Sequence, residues 1–321
     1  MDRHRAFGIA LTIVSACAFG SGALFAKPVY ADGVGWHTLM AWRFLIGAGL
    51  AWLWLLGSAR RRAAFARLDR RAVLASLALG VLFTGNSATY FAGLETVDAS
   101  LAALIVYIYP ALVAVLSLRV GRALTGRRAW GALAIALVGA MLAVGAIEPS
   151  SAPPLSGIAL LVASPVIYSV WIVLAARLSG ERRTRVGDAT TSGADPVAAM
   201  PLMMSATAAT YWISGLVLSR PLLPGEVPGP AWLGILGVGV VSTFIAIEAF
   251  YGGAHRIGAA QAALVSTVEP VWTIVLASIL LSESLSPLQL VGGALILAGV
   301  VVAQTAPEPP VTIAAPRLAD E

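Results

Sequence analysis

Ten apolar runs, each about 20 residues long, follow one another along this chain of 321 residues. They cover approximately 6–26, 36–57, 72–94, 99–119, 129–147, 156–178, 197–219, 231–254, 261–282 and 288–306. A helix needs roughly 20 apolar residues to cross about 30 Å of hydrocarbon, so each run can span a bilayer. The composition agrees: 59% of residues are apolar and 12% charged, where soluble domains average about 45–50% and about 25%. A soluble enzyme, a disordered chain and a disulfide scaffold are excluded. The first run is longer than the roughly 7–15 apolar residues of a signal peptide and is expected to remain as a span. Connections are short, the longest being 179–196, and the Pro-bearing segment 307–321 is predicted to be a disordered cytoplasmic tail.

The net charge of +5 does not point to nucleic acid, because the cations sit between apolar runs and not on one face. With the N-terminus inside, eighteen of the 21 Lys and Arg residues fall in inside segments. Only Lys27 and Arg220 fall outside, and Arg43 lies within a span. This asymmetry predicts both termini in the cytoplasm. Cys17 is the one cysteine, and His4, His37 and His255 show no ligand spacing, so no disulfide, metal or cofactor is expected.

The second half overlays the first. At a shift of 160, Tyr90-Phe-Ala-Gly93 meets Phe250-Tyr-Gly-Gly253, Ala102-Ala-Leu104 meets Ala262-Ala-Leu264, and Pro110 meets Pro270. The first helices pair at a shift of 149, where Gly8 meets Gly157 and Ser15 meets Ser164. Two repeats of five spans enter the membrane from opposite sides, an arrangement characteristic of secondary transporters. The predicted fold is therefore an all-α integral membrane protein of ten transmembrane helices in two inverted five-helix repeats. Residues 1–148 and 149–306 form the repeats. Pro110 and Pro270 fall roughly 16 and 14 Å deep, near the midplane, where each can serve as a hinge.

Gly8, Lys27, Ala41-Trp-Arg43-Phe, Tyr90-Phe-Ala-Gly-Leu94, Ala99, Ala102, Ala103, Tyr109-Pro110, Pro270 and Gly299 give residues 6–305 a resemblance to the EamA-domain family of the drug/metabolite transporter superfamily. Within it the chain is similar to the YddG-type exporters of aromatic amino acids. The resemblance implies export of small metabolites from the cytoplasm, with protons as a coupling ion. The phosphate-carrying branches of the superfamily use basic residues on later helices, and spans six to ten here carry none.

Charges inside the bilayer are costly and need a reason. Arg43 lies roughly 10 Å below the outer edge and Glu269 roughly 12 Å from the inner edge. Either Arg43 attracts a substrate carboxylate or pairs with Glu269 until substrate competes, or the two form a permanent structural ion pair between spans two and nine; Glu269 is also the candidate for carrying a coupling proton. Glu248 falls close enough to the inner face to reach water, and Lys27 is expected to snorkel. Two polar faces occur at helical spacing: Phe83, Asn86, Ser87 and Tyr90 on span three, and Ser266, Glu269 and Thr273 on span nine. With Tyr107, Tyr168 and Trp171 they are the candidate cavity lining; interhelical hydrogen bonding is the alternative use of the same polar groups. Gly131, Gly139, Gly292 and Gly299 suit close helix packing or a dimer contact.

A secondary transporter follows as the expected function, exporting small amphipathic metabolites, foremost aromatic or other neutral amino acids, by alternating access. Its partners are a small-molecule substrate, the lipid bilayer and protons, in a monomer or homodimer. Its expected place is a bacterial cytoplasmic (inner) membrane. Export of cationic or lipophilic drugs is the alternative. An intramembrane enzyme would need a nucleophile with a base, or a metal cluster, at depth, and a channel would need a filter; the sequence shows neither.

Overall fold

The computed structural model describes residues 3–109, 112–113, 116, 127–145, 152–178, 196–257, 265–266 and 268–304. Pro110 and the expectations for 179–195 and 307–321 lie outside them. Every regular element among the described residues is helical. In chain order these are α1 (Arg3–Gly20), α2 (Gly22–Ala31), α3 (Trp36–Leu56), α4 (Ala59–Ala66), α5 (Arg70–Leu94), α6 (Ala99–Val106), α7 (Arg127–Gly145), α8 (Leu155–Leu178) and α9 (Pro196–Val217). Then come α10 (Ala231–Leu236), a π-helical segment (Gly237–Ile245), α11 (Ala246–Ile257), α12 (Val268–Leu280) and α13 (Pro287–Gln304).

Among the described residues, five stretches are long and apolar enough to cross a membrane: Arg3–Ala31, Trp36–Leu56, Arg70–Leu94, Leu155–Ala175 and Ala231–Gly253. Val268–Leu280 and Pro287–Gly299 are shorter apolar helices. Arg3–Ala31 runs past the expected end at residue 26, through a joint at Ser21 that keeps its hydrogen bonds: Ser21 N–H donates to Cys17 O and Phe25 N–H to Ser21 O. Lys27 therefore lies within a helix and is partly accessible. Its Nζ donates to Val97 O at 2.6 Å, the carbonyl freed where α5 has ended.

Polar residues mark the helix ends. Asp69 caps α5 by accepting from Ala72 N–H at 2.8 Å, which satisfies one of the first-turn donors that no helix can satisfy itself. Arg61 donates to Trp54 O at 2.7 Å and lies 3.9 Å from the Trp54 ring. Arg62 donates to Leu56 O. Two cations thus meet the negative end of α3.

The contacts sort into two ends. At one, Lys27, the start of α3 (Trp36 N–H to Glu95 Oε1, 2.5 Å) and the start of α6 (Ala99 N–H to Glu283 Oε1, 2.9 Å) come together. At the other, Arg256 near the end of α11 stands over Phe7 near the start of α1 at 5.1 Å. Several contacts recur under the shifts that overlay the two halves. Ser15 Oγ donates to Ala246 O at 2.7 Å, and Ser164 Oγ approaches Asn86 O at 3.5 Å while donating to Asn86 Oδ1 at 2.9 Å. Gly8 packs on Gly253, and Gly157 on Gly93. The first helix of each half thus lies against the third helix of the other.

Small residues set the helix spacing. A methyl group at Gly139 would stand 2.5 Å from Gly292 O and 2.9 Å from Ile296 N, so α7 and α13 touch backbone to backbone. These two glycines pack within one chain, the first of the two uses open to them. Gly131 has nothing within 4 Å of such a methyl.

Candidate functional site

The site begins where two helices stop. The run that starts at Ala99 leaves helical geometry at Tyr107 and Ile108, just before Pro110. In the second half, Ser266 is a turn residue and α12 starts at Val268, with Pro270 in its first turn. There the missing N–H costs nothing, because first-turn donors have no partner within the helix. The two interruptions touch: Tyr107 Oη donates to Ser266 O at 2.5 Å, a carbonyl that also accepts from Glu269 N–H at 3.0 Å. Glu269, the second residue of α12, sits beside this crossing.

Aromatic rings extend from it without a gap. Tyr107 and Tyr109 lie 5.6 Å apart, Tyr109 and Tyr168 4.8 Å, and Tyr168 stacks on Trp171 at 5.9 Å. Phe83 meets Trp171 at 5.1 Å and Phe44 at 5.9 Å, and Phe44 stacks on Tyr211 at 5.8 Å. Such pairs hold ring orientation through their quadrupoles. Tyr90, Tyr109, Tyr168 and Glu269 lie deep in the bundle, yet all four keep accessible surface. Phe83, Asn86 and Trp171 are also partly accessible.

The expected faces divide. On α5, Phe83, Asn86 and Tyr90 keep accessible surface, while Ser87 is buried against Tyr211, Oγ to Oη 2.7 Å. In the second half, Thr273 is buried and donates to Gly20 O at 2.9 Å. A methyl at Gly20 would stand 2.9 Å from Glu269 O, so α1 and α12 touch there. Trp272 Nε1 donates to Ser21 Oγ at 3.0 Å and braces the joint between α1 and α2. Ser266 contributes its carbonyl to the crossing.

Arg43 is buried on α3, and Glu269 is not its partner. Its Nε donates to Thr243 Oγ1 at 2.7 Å and its Nη1 meets the Met40 thioether at 3.9 Å. The guanidinium carbon lies 5.1 Å from the Phe44 ring and 4.7 Å from the Phe91 ring, within cation–π range. The Glu269 carboxylate has no hydrogen bond or ion pair among the described residues. Tyr90 stands within electrostatic reach of both charges, and Tyr107, Tyr109 and Tyr168 also face Glu269. Depth arithmetic put the two charges within reach of each other but carried no lateral position.

Glu248 is partly accessible, with its Oε1 buried and its carboxylate near Trp54 and Arg61. Outside the spans, Asp98 precedes α6. Desolvation and the nearby Glu283 carboxylate push its carboxyl above the ordinary value, while Lys27 pulls it down. Sequence reasoning missed Phe44, Phe91, Tyr109 and Thr243. Tyr109 carried the one available signal, as the residue that overlays Glu269.

Comparison with known proteins places this geometry. The sequence matches the EamA-like transporter family twice, over residues 6–145 and 155–305. An uncharacterized transporter of Archaeoglobus fulgidus is 28% identical over 232 residues, covering 71% of this chain and 75% of that protein. A solved crystal structure with 21% sequence identity superposes with a TM-score of 0.64, covering 93% of this chain and 97% of the other. That likeness concerns the fold.

Proposed function

The chain belongs to the EamA-like transporter family and is a multi-pass membrane transporter, not an enzyme; from this premise we propose that it exports small zwitterionic amphiphiles, foremost aromatic or other neutral amino acids, by alternating access. The observation that carries the reading is a pair of opposite charges, with no ion pair to either among the described residues and both within electrostatic reach of Tyr90, in an aromatic-walled interior. An Arg side chain presents a fork that matches a carboxylate. Glu269 among tyrosine rings suits an ammonium group, or a proton that exchanges with it. The rings between them take an apolar side chain. Asn86, Phe83, Tyr168 and Trp171 complete the lining in this proposal.

The proposal includes the ten-span, N-in/C-in arrangement in a bacterial inner membrane, with Pro110 and Pro270 as hinges. It is tested by counterflow in proteoliposomes preloaded with each of the twenty amino acids or with cationic drugs. Accelerated, saturable exchange with aromatic or branched amino acids supports it. Exchange with drugs alone transfers the site to organic cations held by Glu269. In a Cys17→Ala background, a cysteine at 151 labelled from outside and one at 192 protected agree with the orientation; the reverse pattern overturns it.

A further inference from the structure

Arg43 is held by an unusual piece of backbone. The nine residues Gly237–Ile245 are π-helical, inside the otherwise continuous path from α10 to α11. A π turn is rare and, where it occurs, is frequently found at a functional site. Thr243 lies on this segment with no exposed surface. Its hydroxyl donates to Val238 O at 2.8 Å, five residues earlier, which is the π spacing and not the α spacing. A hydroxyl has one proton. With that proton committed to Val238, the oxygen can only accept, and it accepts from Arg43 Nε at 2.7 Å.

Two glycines bring the segments close enough for this bond. A methyl at Gly47 would stand 2.9 Å from Thr243 Cγ2, and one at Gly239 would stand 3.0 Å from Ile46 Cβ. The Thr243 methyl therefore fills the hollow over Gly47, and threonine supplies both the packing and the acceptor. With Nε occupied, the guanidinium plane is fixed between Phe44 and Phe91, and its remaining donors sit at the Nη end. There the described partner is a thioether at 3.9 Å, a weak acceptor.

We propose that Thr243 is a positioning residue for substrate selection: by locking Nε of Arg43 it presents the Nη pair to an incoming carboxylate. The inference rests on the reading of Arg43 given above. It predicts that Thr243 governs the preference for carboxylate-bearing substrates without touching substrate.

The test compares phenylalanine with phenethylamine, the same molecule lacking the carboxylate, as substrates in proteoliposome counterflow. Thr243→Val keeps the shape and removes the acceptor; Thr243→Ser keeps the acceptor. Thr243→Val should raise the KM for phenylalanine by about tenfold, the size of one charge-assisted hydrogen bond. The KM for phenethylamine and both maximal rates should hold, and Thr243→Ser should restore the preference. Equal KM changes for both substrates, or a fall in maximal rate with KM unchanged, would mean a structural role and overturn the proposal. Arg43→Gln is run alongside. If it abolishes the preference while Thr243→Val does not, this inference fails and the reading of Arg43 stands. If wild type shows no preference, or Arg43→Gln leaves it intact, the reading of Arg43 fails and the inference with it.

Discussion

Glu283 joins the linker between α12 and α13 to the start of α6, and removing its carboxylate should loosen one end of the molecule. Its Oε1 accepts from Ala99 N–H at 2.9 Å and its Oε2 from Ser100 N–H at 2.8 Å. Both amides belong to the first turn of a helix, where no carbonyl of the helix itself can reach them. Asp98, the residue at the cap position, makes no side-chain cap bond, so Glu283 acts as a cap supplied from the other half of the chain. A hydrogen bond to a charged group contributes about 1.5–3 kcal/mol, and a lost cap costs about 0.5–2 kcal/mol. Water replaces part of each bond at a half-buried end, so Glu283→Ala should cost about 2–4 kcal/mol. Glu283→Gln keeps one acceptor and turns an N–H group toward the second amide, so it should lie between Ala and wild type. Melting of the purified protein in detergent reads the loss, with a shift of about 2–4 °C per kcal/mol or less for a chain this long. Hydrogen exchange should localise it to the amides of Ala99 and Ser100. If Glu283→Ala melts with wild type and both amides keep their protection, the bidentate cap contributes nothing and the reasoning is wrong.

Two further outcomes are expected. Gly139→Ala should lower the melting temperature, because its methyl would strike Gly292 O across α7 and α13, whereas Gly131→Ala, with open space around it, should be neutral or slightly stabilising; equal effects would show that the helix contact yields freely. Asp98→Asn should raise the melting temperature at pH 7. The Asp98 carboxyl is pushed above its ordinary 3.8 in the fold, so its charged form is the disfavoured one there. That penalty is complete above the raised value and vanishes once both states are protonated below about 3.8, so the gain should shrink as pH falls and disappear in acid; a gain that grows on acidification refutes the assignment.

The contrast between what the residues disclosed and what they hid follows from the kind of information each carries. Apolar runs report length and burial. They disclosed the helical class, and the helix interruption beside Pro270 was legible from proline chemistry alone. Rotation about a helix axis is weakly encoded when lipid and protein both accept Leu, Val and Ala. Ser87 and Thr273 therefore looked like lining and turned out to be packed against Tyr211 and Gly20. The π register of Gly237–Ile245 left no trace in an apolar sequence, and with it went the partner of Arg43.

That hidden register explains why a depth count alone joined the wrong charges. One extra residue per turn changes which side chain of the segment meets α3, and here it delivers Thr243 to Arg43. In the first half the overlaid position is Phe83, on an ordinary α-helix, and it faces the rings of Phe44 and Trp171. The two halves share their Ser15–Ala246 and Ser164–Asn86 contacts but differ where the interior opens. Thr243 replaces a ring with a polar anchor, and Glu269 replaces Tyr109 with a charge. Both substitutions lie in the second half; one holds the Arg43 cation and the other adds an anion, and both charges stand within electrostatic reach of Tyr90. A scaffold whose helix contacts repeat can exchange its two conformations, while an interior whose residues do not repeat gives a bound molecule one orientation. Under the function proposed above, a zwitterion with an aromatic side chain binds with its carboxylate toward Arg43 and its ammonium toward Glu269.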